Sequence, residues 1–325
     1  DATLLADLRE GVGSQADALG LDHAVVHDAT TLAEVGAALE GSRPPRRTVS
    51  VAGDLPRPAV LQVPLGTPFG ALTRHCGGGA LDAAIFHNGP LAGLAADPGA
   101  AVDQHTRALL LLPLDHLLVV GQTTPRTDAR RRAASACVGC RVCTDCCPVH
   151  LEGAQLQPHQ LSRTLALPAA GPPSAGLLAA LQCRGCRLCD IVCPSQVAPA
   201  ALVELARHRL EQQGIALAPT PGSATPRLHP ERAGRRLTLG RLSERLGLAS
   251  YALPALPARP MLPAEIHLPL TSPGGLPRIP AVEPGQRVAP GTALTRGEAT
   301  ASLRATMSGR VLSIDPDDGI RIEVA

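Results

Sequence analysis

The stretch CVGCRVCTDCCPVH, residues 137–150, places five of the chain's ten cysteines within eleven consecutive positions and follows the last with proline. Its spacing is C-x2-C-x2-C-x3-C-P, over Cys137, Cys140, Cys143, Cys147 and Pro148. A second copy, CRGCRLCDIVCP, carries Cys183, Cys186, Cys189, Cys193 and Pro194, every matched cysteine displaced by the same 46 positions. A repeat at constant offset marks one structural unit used twice.

Three chemistries compete for these thiols. Disulfides suit small secreted domains, yet DATLLADLREGVGS at the start has no basic segment leading into an apolar one, so no secretory signal is expected. Structural zinc uses separated C-x2-C pairs, four thiolates to an ion. A cysteine at every third position, closed by Cys-Pro, is the bacterial ferredoxin run that holds a [4Fe–4S] cube. Such a loop curls round one cube with three sulfurs, while the fourth cysteine points away. In two-cluster ferredoxins that fourth thiolate serves the other cube. The expected sets are Cys137, Cys140, Cys143 and Cys193 for one cluster, and Cys183, Cys186, Cys189 and Cys147 for the other. Cys146 and Cys76, the two left over, read as packing residues. Loading both clusters takes the chain's formal charge from +2 to about −2. Arg141, Arg184 and Arg187 lie inside the loops, either favouring the reduced cubes or facing solvent.

Around the clusters the chain is organised in short units. Its 325 residues suffice for two to four domains, and 64 glycines and prolines favour several small ones joined by loops. Aromatics make up only 1%, so cores must be built from Leu, Val, Ala and Ile. The apolar run 108–121 is interrupted by Pro113, Asp115 and His116, which excludes a transmembrane helix there. The basic stretch RTDARRR (126–132) has no aromatic residues interleaved and predicts no nucleic-acid partner. GVGSQA (11–16) fits a dinucleotide-loop pattern formally, but Leu4, Leu5 and Leu8 before it are spaced as a helix, not a strand.

Between the repeats, Leu156, Leu161 and Leu165 suggest a short helix. After them, Pro199 opens a helix lined by Leu202, Leu205, Ala206 and Leu210 and ended by Gly214. Upstream, residues 47–79 read as a strand with Val49 and Val51 alternating, a Gly53-Asp54 turn and a returning AVLQV strand. A helix follows with Thr67 as N-cap and Pro68 at N1, stopped at Gly77. This is a β-grasp pattern. Downstream, residues 282–314 pair Pro-Gly turns with short strands, resembling the biotinyl/lipoyl-type barrel sandwich. Those carriers need a lysine at the hairpin tip, where GEATAS stands here; the chain contains none, so a swinging arm is excluded on chemistry.

The expected fold class is therefore α+β multidomain, with 45–122 as a β-grasp ligand-binding-like domain, 123–214 as a helical two-cluster ferredoxin domain, 215–260 as a Pro-rich linker with a short helix, and 261–325 as a barrel-sandwich hybrid. That order resembles the cobalamin (corrin) reductase family of propanediol-utilisation microcompartments and its relative, the C subunit of the Rnf electron-transport complex, over roughly residues 20–325. RTVSVAGDL with VPLGTP resembles the family's soluble-ligand-binding signature, HNGPLAG (87–93) stands at its Gly-Gly-Pro-Met stretch, and RRLTLGRLSERLGLASY (235–251) resembles the microcompartment branch. The resemblance implies electrons passing from NADH through FMN to two [4Fe–4S] clusters and on to an acceptor such as corrinoid cobalt. The family's flavin/NADH domain has no counterpart beyond a tail in residues 1–44, where Asp28, Ala29, Thr30 and Thr31 stand at the family's Asn-Val-Glu-Thr. Gln104 occupies an expected lysine position, so FMN is not expected on this chain alone. Beginning at Asp1, the chain is expected to be trimmed. Its expected function is single-electron relay with no catalytic acid or base. The expected partners are a flavoprotein or NADH-linked donor and a corrinoid-protein or redox-complex acceptor. It would work in the cytoplasm, within a microcompartment or peripheral to the inner membrane. The alternatives are an NADH-dependent corrin reductase when the flavin domain is joined, and a cluster-stabilised scaffold or microcompartment adaptor.

Overall fold

The computed structural model describes residues 27, 29–40, 46–79, 83–91, 95–123, 126–166, 174–216, 228–271, 276–296, 302–316 and 318–325. The GVGSQA segment, Asp28, Ala92 and Gly93 of HNGPLAG, and positions 297–301 of the GEATAS tip lie outside the described residues. The protein is a mixed α+β molecule with two sheets, both in one of its two compact units, and a helical region carrying both cysteine loops in the other.

The sheet-bearing unit takes His27–Leu114 together with Tyr251–Ala325. After helix α1 (Ala29–Leu39), strand β1 (Arg46–Gly53) turns into β2 (Ala59–Pro64), antiparallel from Arg46 opposite Pro64 to Val51 opposite Ala59. The turn needs glycine: Gly53 has φ +105°, and a Cβ there would lie 1.9 Å from the Leu111 carbonyl oxygen. Helix α2 (Phe69–His75) crosses over to β3 (Ala83–His87), the two-residue β4 (Ala95–Ala96) and β5 (Ala108–Pro113). β5 runs parallel to β1 and antiparallel to β3, and β6 (Ala258–Pro260) joins the far edge, giving the order β4-β3-β5-β1-β2-β6. Alternation along β1 turns Val49 and Val51 inward, where they meet Leu61, Val63, Leu109 and Leu111, with Phe69 and Leu72 of α2 as the lid.

Thr67 departs from expectation. Pro68 occupies the N-cap position without any side-chain cap, and the buried Thr67 hydroxyl donates back to the Pro64 carbonyl at 2.7 Å. The Thr67 carbonyl also accepts from the Val102 amide. The residue therefore pins a turn instead of starting the helix. The second sheet contains β7 (Glu265–Leu268), β8 (Arg287–Val288), β9 (Gly309–Asp315) and β10 (Gly319–Val324) in the order β7-β10-β9-β8, every pair antiparallel. Ile266, Leu268, Val288, Val311, Ile320 and Ile322 form its core.

The second unit includes residues 115–250 and, among its described residues, is helical without strands. The apolar run at 108–121 is divided between β5 and helix α3 (Leu117–Thr123), and no helix among the described residues is long and apolar enough to cross a membrane. Helices α4 (Arg126–Ala136), α5 (Val142–Asp145), α6 (Pro148–Leu151), α7 (Pro158–Ala166), α8 (Ala175–Leu178), α9 (Leu188–Ile191), α10 (Pro199–Gln212), α11 (Arg232–Arg235) and α12 (Leu239–Arg245) follow.

Helix α10 packs against α4 and α7, joining Leu202, Val203 and Ala206 to Ala129, Ala133, Leu161 and Leu165. Val203 is buried where the sequence favoured Leu205, which is only half-buried, because a helix with two helical neighbours buries a broader stripe than one neighbour requires. Leu156 is buried just ahead of α7 rather than within it. Residues 228–250 attach to the same unit, through the His229 amide bonded to the Leu151 carbonyl at 3.0 Å and the Arg235–Asp145 ion pair at 3.0 Å.

Candidate metal centre

Each cysteine loop is curled by two left-handed residues at matched positions. They are Gly139 (φ +68°) and Arg141 (φ +66°) in the first loop, Gly185 (φ +71°) and Arg187 (φ +55°) in the second. Glycine adopts this conformation freely; an arginine there costs about 1–2 kcal/mol, so the surrounding structure must hold it in place. Arg141 and Arg187 then precede the short helices α5 and α9, which carry the third cysteines, Cys143 and Cys189. The Cys-Pro steps act differently in the two copies. Cys147 is the N-cap of α6 with Pro148 at N1, and its side chain makes no capping hydrogen bond. Cys193 accepts from the Val197 amide at 3.4 Å, in the bend leading to α10.

The fourth cysteines cross over. Cys137, Cys140, Cys143 and Cys193 line one cavity, walled also by Pro194, His159 and Val197. Burial pushes the Cys143 thiol up to about 12, and Cys193, Cys140 and Cys137 add to the rise. Burial likewise pushes Cys147 up to about 11, opposed by the nearby His150 and Val149 backbone, with Cys186 and Cys183 adding to the rise. Cys189 is pushed well above the ordinary thiol value by burial, then by Asp190, Cys147, Cys186 and Cys183. The first loop's three thiols thus share a cavity with Cys193, and Cys147 lies within electrostatic reach of the second loop's three.

The donors suit a cluster better than a single ion. A lone zinc draws its sulfurs to about 2.3 Å. Here the first four thiols ring a cavity, and no group of three or more His, Cys, Asp or Glu among the described residues converges on one ion. Crowded thiols ionise poorly alone, because their thiolates would repel one another, so a cationic iron core would supply the charge that makes the set stable. Donors from the chain are already placed, with the Gly185 amide 3.4 Å from the Cys183 sulfur as well as that of Val197 at Cys193.

Some neighbours escape a reading by cysteine spacing. Thr144, fully buried after Cys143, accepts from the His159 amide at 3.2 Å, and its hydroxyl is hydrogen-bonded to His159 Nδ1 at 2.7 Å, which holds the His159 ring at the cavity wall. Burial, followed by the charge of Arg141, lowers the His159 pKa. The matched position after Cys189 is Asp190. Burial raises its carboxyl pKa, opposed by the Ala200 amide, which donates at 2.7 Å, and by Arg187 at 3.3 Å. The 46-residue offset pairs Thr144 with Asp190 and was the signal available for finding both. Arg184 in the second loop pairs with Glu152 at 2.6 Å. The leftover thiols are partly buried Cys146 and fully buried Cys76 of the sheet unit.

Residues 136–198 match the family model described as the 4Fe-4S dicluster domain. Over 158 residues the chain is 34% identical to "Cobalamin reductase PduS" of Citrobacter freundii, a match covering 48% of this chain and 35% of that protein. It is likewise 34% identical over 160 residues to "Cobalamin reductase PduS" of Salmonella typhimurium strain LT2, covering 48% and 35%. The match spans about a third of the length of these curated relatives. The iron–sulfur domain and the similarity to these proteins support a role in iron–sulfur electron transfer.

Proposed function

We propose that this chain relays single electrons through two [4Fe–4S] clusters, as a component of a cobalamin-reductase-like system. Cys137, Cys140, Cys143 and Cys193 would hold the first, and Cys183, Cys186, Cys189 and Cys147 the second. The observation that supports the proposal is that Cys193 lines one cavity with Cys137, Cys140 and Cys143, while Cys147 lies close enough to Cys189 to raise its pKa. Each cluster, when bound, takes up or gives back one electron without making or breaking a bond. The chain's own work is to hold eight sulfurs, to shield Cys143 and Cys147 from water, and to aim the Gly185 and Val197 amides at sulfur, which favours the more negative state.

Two finer readings of the fold belong to the same proposal. Strand order β4-β3-β5-β1-β2, with β1 and β5 parallel and α2 packed on one face, supports a β-grasp unit. The antiparallel β7-β10-β9-β8 sheet and its turn-rich approach support a barrel-sandwich platform that, lacking lysine, carries no swinging arm. The relatives' printed activity favours a corrinoid-linked acceptor. A flavoprotein or NADH-linked donor completes the reading, and an NADH-dependent corrin reductase formed with a flavin domain, at work within a microcompartment, is the alternative.

Anaerobic reconstitution should yield about eight irons per chain, absorbance near 400 nm and, on reduction, the EPR spectrum of two coupled cubes. Cys147→Ser should alter the same component as Cys186→Ser, and Cys193→Ser the same component as Cys140→Ser. Four irons per chain, or effects of Cys147→Ser and Cys193→Ser confined to their own loops, would refute the crossed assignment.

A further inference from the structure

The duplication provides an internal control, because two loops of equal cysteine spacing present different outer faces. In the first loop the tip is open, with Val138 76% exposed and Cys140 exposed beside it. Arg141 is exposed and lies close enough to His159 to depress its pKa, as does the exposed Arg163. A Cβ on Gly139 would sit 3.6 Å from the Arg163 guanidinium, which therefore rests against the loop. Exposed Arg132 reaches the cavity's other wall, donating to the Gln196 carbonyl at 3.3 Å. Neither Arg141 nor Arg163 forms an ion pair with another described residue, and Asp145, the nearest loop carboxylate, is engaged by Arg235 at 3.0 Å. The second loop is neutralised. At the position matching Val138 stands Arg184, paired with Glu152 at 2.6 Å, and Arg187, matching Arg141, pairs with Asp190 at 3.3 Å.

We propose that the first loop's tip, Val138–Cys140 framed by Arg141, Arg163 and Arg132, is the surface where an acidic redox protein docks and exchanges an electron with this chain. This rests on the electron-relay reading and adds which end of the relay meets a partner and what charge that partner carries. A small apolar contact closes on Val138 and brings the exposed cysteine edge near the partner's own centre, while unpaired arginines steer an acidic surface towards it. One electron crosses, the donor is oxidised, the chain is reduced, and no bond or proton moves.

The test uses the reconstituted full chain with a reduced plant-type ferredoxin as the acidic one-electron donor, and reduced methyl viologen, a small cation, for comparison. Reduction is followed by bleaching near 400 nm. Ferredoxin should reduce the chain about tenfold or more slowly at high than at low ionic strength, and methyl viologen should lack that fall. Arg141→Glu with Arg163→Glu should slow the ferredoxin reaction by a similar factor at low salt. Arg287→Glu, on exposed β8 of the other unit, should leave it unchanged. Should the reversed pair bind less iron, Arg141→Gln with Arg163→Gln, normalised to absorbance near 400 nm, gives the same reading with a smaller loss. A salt-independent ferredoxin rate, or wild-type rates in both double variants, overturns the docking surface while the relay stands. A chain that takes up no iron overturns both.

Discussion

Asp103 shows how single side chains in the sheet unit answer to their polar neighbours. Partial burial works against its ionisation, but the Thr106 hydroxyl at 2.7 Å and the His105 amide at 2.9 Å both donate to Oδ1, and His87 adds a favourable charge. The outcome is a carboxyl held below its ordinary pKa. Because the Thr106 hydroxyl donates to Asp103, the 3.0 Å contact with His87 Nε2 must be an N–H donated by the ring. The buried Arg47 guanidinium binds the Thr106 carbonyl at 3.1 Å, and Asn88 ties the same loop down through His105 and Arg107. A depressed folded-state pKa gives stability that is complete above the unfolded value and lost as pH falls through the folded one. Asp103→Ala is expected to cost about 1 kcal/mol at pH 7 in chemical denaturation, with the gap to wild type closing below about pH 4. A gap constant down to pH 3 would remove the charge from the account. None of this was legible in the sequence, since Arg47, His87, Asn88 and Thr106 meet only once β1, β3 and the loop before β5 are paired.

Helix α10 is the element on which the cluster unit is assembled. Leu202 is fully buried in the core that also contains Cys147, with Cys183 and Cys193 packed at its edge. Truncating it removes apolar contacts and leaves a cavity behind cluster-facing cysteines. Leu202→Ala should destabilise this unit by about 2–5 kcal/mol and speed the loss of absorbance near 400 nm on warming. A variant that melts earlier but keeps its iron as long as wild type would uncouple the core from the centre. The helix was readable from Pro199, its leucine spacing and Gly214, as was the β1–β2 hairpin from valine alternation and Gly53-Asp54. Helix α2 was readable in extent but not in its cap, because the Thr67 hydroxyl had a carbonyl within reach behind it as well as amides ahead.

The two compact units divide the molecule's energetics. One has apolar cores beneath its sheets; the other packs short helices around an apolar core edged by the two cysteine loops. Iron bound only by the folded form stabilises the unit that holds it. Calorimetry of the reconstituted chain should therefore give two transitions, and anaerobic removal of iron by a chelator should lower one and leave the other in place. Equal lowering of both would contradict this division.

What the sequence determined alone was the chemistry and its doubling: thiols at every third residue, a Cys-Pro stop, and one offset shared by four cysteine pairs. Local spacing is enough for that, because three ligands on one loop are neighbours by covalent geometry. Tertiary structure decided which arginines are neutralised, and why Thr144 and Asp190 differ in effect at matched positions. Arg184 with Glu152, Thr144 with His159 and Asp190 with the Ala200 amide each join separate segments, and the cysteine spacing does not encode them.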